Sequence, residues 1–266
     1  MPRVVEPGSG VRHRLIFELR YESGELFWDR CGRIARSLAA ARGWACQSVD
    51  TNGCHLWNED QNLAFTYSAT KLDLSQSQNQ DVSDLLPPGE FAAIAEEFSE
   101  VVVRALEVNS FPRIGFRLWA LHATESVEDA SSRIRRMSFF SPCKALMGLG
   151  DLSHVSHAVV LARSKHMVRV AATPFEQQVR LAPSLVAAAR ADARKHDKDQ
   201  KKVLIQRMRA KKAIKTFPPV GIMIDLDAYI EDVPYPDEVS ACAFIEEAAG
   251  DFEVICQTIL SEENRQ

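Results

Sequence analysis

The chain has 266 residues, 46% of them apolar and 26% charged, with a net charge of −4. That length suffices for one large domain or two small ones around a sizeable core. No apolar run approaches the ~18 residues that a membrane-spanning helix needs, and the acidic balance speaks against a general coat for DNA. The opening stretch "MPRVVEPGSGVRHR" has no apolar core of the kind a secretory leader carries. Cys31, Cys46, Cys54, Cys143, Cys242 and Cys256 are scattered with no Cys-x-x-Cys pair, so they read as reduced thiols in a cytoplasmic protein.

The first strand pattern is "RLIFELRY" at 14–21. Leu15, Phe17, Leu19 and Tyr21 alternate onto one face, and Arg14, Glu18 and Arg20 onto the other. Phe27, Cys31, Ile34 and Leu38 then recur at helical spacing around "GRIARSL". Short strands are expected near 44–49, 53–57, 62–68 and 70–76. The polar, turn-rich "LSQSQNQDVSDLLPPGE" at 74–90 reads as a loop. A helix follows from about 90 to 107, striped by Phe91, Ile94, Phe98, Val101 and Ala105.

The second half opens on a related strand, "RIGFRLWA" at 113–120. Its offset from the first is 99 residues, and Arg113 and Arg117 fall on its polar face. "SRIRRMS" at 132–138 parallels "GRIARSL", with Val127, Ala130, Ile134 and Met137 as the stripe. Strands are expected near 155–162, 166–172 and 175–181. A strand at 221–228 and a helix over about 237–260 close the chain, the helix striped by Cys242, Ile245, Ala249, Phe252, Cys256 and Ile259.

The order strand, helix, four strands, helix thus recurs. The expected fold is α+β, a tandem repeat of antiparallel sheets with helices on one face, similar to the helix-grip or TATA-binding-protein-like class. The first unit spans 1–109 and the second 110–266, with an inserted basic helix at 184–215. Such a topology hosts binders and enzymes alike and does not choose a function.

Charge is unevenly spread. Residues 190–215 hold eleven Lys or Arg against three Asp, a net of +8, which leaves −12 on the rest. The stretch is rich in helix formers and has only a thin apolar seam. Lys201, Lys202, Arg207, Arg209, Lys211 and Lys212 are the candidate binding residues. They would meet an acidic protein or a nucleic acid, the latter through phosphates and without base stacking, since no aromatic residue interleaves. A solvated face, or one paired with the chain's own acidic surface, is the plainer reading.

Asp225 and Asp227 in "GIMIDLDAYIED" share one face of a strand and could hold a divalent ion for phosphoester hydrolysis. No companion motif accompanies them, and two solvated carboxylates near a strand's end are the plainer reading. His154 and His157 have i,i+3 spacing, which suits a metal only on a helix, and "AVVLAR" after them reads as a strand. Ser153 and Ser156 lack a nucleophile elbow. "GLGD" at 148–151 lacks the context of a phosphate loop. Trp28, Trp44, Trp57 and Trp119 read as core or sheet anchors, or as the lining of a small-ligand cavity.

"LIFELRY", "FPRIGFRLW" and the ending "IDLDAY" with "AFIEEAAGDFEVICQTIL" together resemble a sporadically distributed family of uncharacterised bacterial proteins. The resemblance implies no particular activity or cofactor. Its patchy distribution implies an accessory role, such as defence or a mobile element. The expectation is a non-catalytic bacterial interaction protein presenting its basic helix to an acidic partner. A metal-dependent phosphoester hydrolase and a helix-grip small-ligand binder are the alternatives.

Overall fold

A computed structural model describes residues 10–23, 26–50, 53–79, 84–137, 157–163, 165–177, 217–234 and 240–263. In chain order the elements begin with β1 (Gly10–Arg20), α1 (Leu26–Arg42), β2 (Ala45–Asp50), β3 (Gly53–Asn58), β4 (Leu63–Tyr67), β5 (Lys71–Ser77) and α2 (Pro88–Ala105). They continue with β6 (Ser110–Ala123), α3 (Val127–Arg136), β7 (His157–Ala162), β8 (Met167–Glu176), β9 (Val220–Pro234) and α4 (Ala241–Glu263).

The nine described strands form one antiparallel sheet in the order β2-β3-β4-β5-β1-β6-β9-β8-β7. The expected second sheet therefore continues the first. β1 and β6 pair at the centre, with Leu15 opposite Leu118 and Phe17 opposite Phe116. At a strand spacing of ~4.8 Å the sheet is roughly 38 Å across.

Alternation sorts the side chains by face. Leu15, Phe17, Leu19, Phe65, Tyr67, Leu74, Phe116, Ile224 and Leu226 are buried in one core with the stripes of α1, α2 and α4. Phe98 on α2 packs on Trp44 and Phe65, and Phe252 on α4 stacks on Phe116 with centroids 5.5 Å apart. α3 lies against β8 and β9 and adds Ala130, Ile134 and Met137 to the same core.

The helix ends follow local chemistry. α2 starts on Pro88, whose missing N–H is one the first turn leaves free anyway. α1 ends at Gly43, which takes φ +67°, and the Trp44 N–H bonds back to the Ala39 carbonyl. Ser126 caps α3 by accepting from the Asp129 N–H at 3.0 Å.

Two expectations are corrected. The strands expected at 166–172 and 175–181 meet in a single β8 that runs through Pro174. The last β7–β8 pair is at Ala172, so Pro174 lies on a stretch paired with β9 alone among the described residues, where a proline is tolerated. β9 does not stop at 228 but runs to Pro234, so Asp225 and Asp227 lie mid-strand. The basic helix expected at 184–215, with Lys201, Lys202, Arg207, Arg209, Lys211 and Lys212, lies outside the described residues, as do Cys143, His154 and the two serines beside it.

Candidate anion-binding cleft

Helices cover one face of the sheet, and charges organise the other. Going from β5 through β1 and β6 to β9, that face carries Lys71 and Asp73, then Arg14, Glu18 and Arg20, then Arg113, Gly115, Arg117 and Trp119, then Asp225, Asp227 and Tyr229. Each set is fixed by strand alternation and by the observed register.

The two aspartates are bound rather than solvated. Asp225 accepts from Arg117 Nε at 2.6 Å and again from its Nη2, and from Trp119 Nε1 at 3.0 Å. Arg169 on β8 stands 3.6 Å from the same carboxylate. Asp227 accepts from Arg113 Nη2 through both oxygens, at 2.9 and 2.8 Å. The expected water-facing pair near a strand end is thus replaced by two charge-assisted ion pairs, because β6 lines up arginines opposite them.

The pairing is diagonal. Arg117 faces Asp227 in the register but bonds to Asp225, and Arg113 faces Glu231 but bonds to Asp227. Gly115 makes this possible. A Cβ there would already stand 3.6 Å from the Arg113 guanidinium, so a longer side chain would occupy the path along which Arg113 leans to Asp227. Arg113 also lies over the Tyr229 ring at 5.0 Å.

A cleft of about 410 Å³ opens on this face, lined by Arg14, Arg20, Lys71, Arg113 and Arg117 against Glu18, Asp73 and Asp227, with Thr66 and Ser75 among the other residues. Four of the five cations have carboxylate partners. Arg20 bonds Glu18 at 2.8 Å, Lys71 bonds Asp73 at 2.8 Å, and Arg113 and Arg117 take Asp227 and Asp225.

Arg14 is the exception. Among the described residues it has no carboxylate within ion-pair distance, and its guanidinium rests on the Trp119 ring at 5.2 Å, where Arg117 also lies. Its Nε is buried with no acceptor, as is the Nε of Arg113. Burial and the Arg117 charge hold the Arg14 pKa below the usual guanidinium value, with Asp73 pulling the other way. Arg117, hydrogen-bonded to Asp225, is shifted up. Beside Arg14, His13 packs edge-on to Phe217 at 4.5 Å, and burial together with the Arg14 charge lowers its pKa to about 4.

A hydrolytic metal centre fits this arrangement poorly. Divalent ions need free carboxylate oxygens. Those of Asp225 and Asp227 are taken by guanidinium and indole N–H groups, and among the described residues no cluster of three His, Cys, Asp or Glu surrounds a common point. A cavity between the sheet and α4, lined in part by Leu15, Phe116, Leu118, Ile224, Phe252 and Cys256, measures about 230 Å³. That is below the ~300 Å³ of a typical small-molecule site. Trp44 is buried and Trp119 lies on the charged face, but Trp28 is 53% exposed and anchors neither.

The sequence places Arg14, Glu18, Arg20, Arg113 and Arg117 on polar strand faces and singles out Asp225 and Asp227. The sheet order joins these into one site. Lys71, Asp73, Arg169 and Tyr229 are the members that sequence reading missed. The signal for Lys71, Asp73 and Tyr229 is the alternation K-x-D at 71–73 and D-x-D-x-Y at 225–229, which shows its meaning once β5, β1, β6 and β9 are known to be neighbours. No family model matches this chain, and no curated protein matches it.

Proposed function

We propose that this chain is a non-catalytic, cytoplasmic bacterial interaction protein that binds an acidic partner by seating an anionic group in the cleft on the charged face of the sheet. The observation that carries this reading is Arg14, a cation that among the described residues has no carboxylate partner and no acceptor for its buried Nε, beside four arginines and lysines that all have carboxylate partners. An unmet buried donor is costly unless something else satisfies it. The partner's phosphate or carboxylate supplies that acceptor. The basic segment with Lys201, Lys202, Arg207, Arg209, Lys211 and Lys212 is the second contact, supported by its local charge of +8. The resemblance noted above agrees with an accessory role in a defence or mobile-element system.

We also read the chain as two copies of one unit. The strands run outward in mirrored order from β1 and β6, four beyond β1 and, among the described residues, three rather than the expected four beyond β6. Phe17 pairs with Phe116, its counterpart at the offset of 99 residues, as expected when like strands meet about a two-fold axis.

A salt titration of binding to short single- and double-stranded nucleic acids and to polyglutamate tests the functional reading. The full chain binds one of these classes with an affinity that falls steeply with salt. Arg14→Glu weakens that binding at least tenfold, and reversing Arg207, Arg209, Lys211 and Lys212 weakens it further. Binding that is unchanged in Arg14→Glu would remove the cleft from the account.

A further inference from the structure

Resting on the anion-binding reading above, we propose that the group the cleft takes is a phosphomonoester dianion on a small, hydroxyl-bearing molecule, with Arg14 as its principal cation. Three observations lead there. The first is charge. The lining holds five cations and three carboxylates, an excess of two, and including the neighbouring Asp225 and Arg169 leaves that excess unchanged. A phosphomonoester at pH 7 carries about −1.5 to −2, whereas a carboxylate or a phosphodiester carries one charge.

The second is the donor set. Arg14 and Arg113 each leave a buried Nε–H without an acceptor. A phosphoryl group offers three acceptor oxygens, and guanidinium groups are well suited to it. The third is the rest of the lining. Glu18, Asp73, Thr66 and Ser75 edge the same cleft and accept hydrogen bonds from hydroxyl groups, as a sugar attached to the phosphate would supply. The volume of about 410 Å³ lies within the range of small-molecule sites.

Calorimetric titration of the full chain with inorganic phosphate, ribose 5-phosphate, ribose and dimethyl phosphate tests this. Ribose 5-phosphate binds saturably and tighter than inorganic phosphate. Ribose alone and dimethyl phosphate bind at least tenfold more weakly. Affinity for ribose 5-phosphate rises between about pH 5.5 and 7.5, as the phosphate gains its second charge near pH ~6. Arg14→Gln weakens it at least tenfold, and Arg104→Gln on the far side of the molecule leaves it unchanged. Arg14→Lys keeps the charge and loses the planar fork. It weakens binding by a smaller factor and supplies the test should the Gln variant not fold; unchanged affinity in it overturns the role given to the fork.

Equal affinity for dimethyl phosphate overturns the dianion. Arg14-dependent binding of nucleic acid or polyglutamate without any binding of ribose 5-phosphate overturns the small phosphomonoester and leaves the broader reading standing. Failure of every anion to bind in an Arg14-dependent way removes both.

Discussion

The two faces of the sheet are made from the same strands, residue by residue in alternation, yet they solve opposite problems. On the helix-covered face Phe17, Phe65, Phe116 and Leu74 are fully or almost fully buried and fill space. On the charged face Arg113, Arg117, Asp225 and Asp227 fill electrostatic demand instead, each guanidinium answered by a carboxylate. The first face holds the fold through area removed from water. The second adds little net stability, because ion pairs that are partly exposed gain modestly and desolvated ones repay their own cost. What the contrast teaches is where a surplus can be kept. A surplus apolar group would simply be packed, whereas the surplus cation at Arg14 rests on Trp119 with no carboxylate in ion-pair distance among the described residues.

The largest effect is expected on the packed face. Phe116→Ala removes a ring stacked on Phe252 and only 1% exposed, and should cost about 3–5 kcal/mol of stability. Urea denaturation measures it. A loss under about 1 kcal/mol would mean that the centre of the sheet is not where the core is densest.

Next comes the charged face, broken at its most buried acid. Asp225→Ala leaves Arg117, Arg169 and the Trp119 N–H facing a vacancy, and should cost about 2 kcal/mol, reduced from the buried-pair range because Arg117 is partly exposed. Asp227→Ala strands only Arg113 and should cost about half as much by the same argument. The ordering of the two variants in urea is the check. A wild type that gains thermal stability from magnesium or manganese, where Asp225→Asn does not, would reopen the metal reading.

A third test uses pH at the border between the faces. His13 packs against Phe217 beside Arg14, and its pKa is lowered to about 4 from an unfolded value near 6.5. The unfolded chain therefore binds the proton first. The stability that His13 contributes is complete above about pH 6.5 and drains away as the pH falls towards 4. In His13→Phe this loss should be missing from a series of urea midpoints between those pH values. Asp129 and Asp251, whose pKa values are lowered by Arg133 and Arg163, lose their contribution at lower pH and in both proteins alike.

Much of this architecture was legible in the sequence because period-two alternation and helical stripes are local. "RLIFELRY" and "RIGFRLWA" read as strands and are the central pair, and the stripes of α2 and α4 are buried where periodicity put them. The site was legible only in halves. Alternation put Arg113 and Arg117 on one polar face and Asp225 and Asp227 on another, but nothing local says that β6 and β9, about a hundred residues apart, are neighbours. That information is in the sheet order. The same gap explains the misreading of Asp225 as solvated. A carboxylate in an apolar run looks like a strand end until its arginines are found across the strand. The expected strands at 166–172 and 175–181 leave out Thr173 and Pro174, and it is the unbroken pairing with β9 that carries β8 through them.

The smallest stability effect is also the most informative, because its sign is reversed. Arg14→Met keeps the apolar stem against Trp119 and removes a guanidinium that lies near Arg117 with no carboxylate of its own. Every other cation in the cleft costs stability when removed, since a carboxylate is left behind. Arg14 leaves none, and its loss relieves repulsion and a buried donor, so the variant should be unchanged or more stable by about 0.5 kcal/mol. The same protein should lose its affinity for anions. Measured together, a neutral or positive change in urea and a tenfold loss of binding identify a residue kept for a ligand at the fold's expense. A clear destabilisation would instead mean that Arg14 is satisfied within the chain, and the two faces would then differ in chemistry but not in purpose.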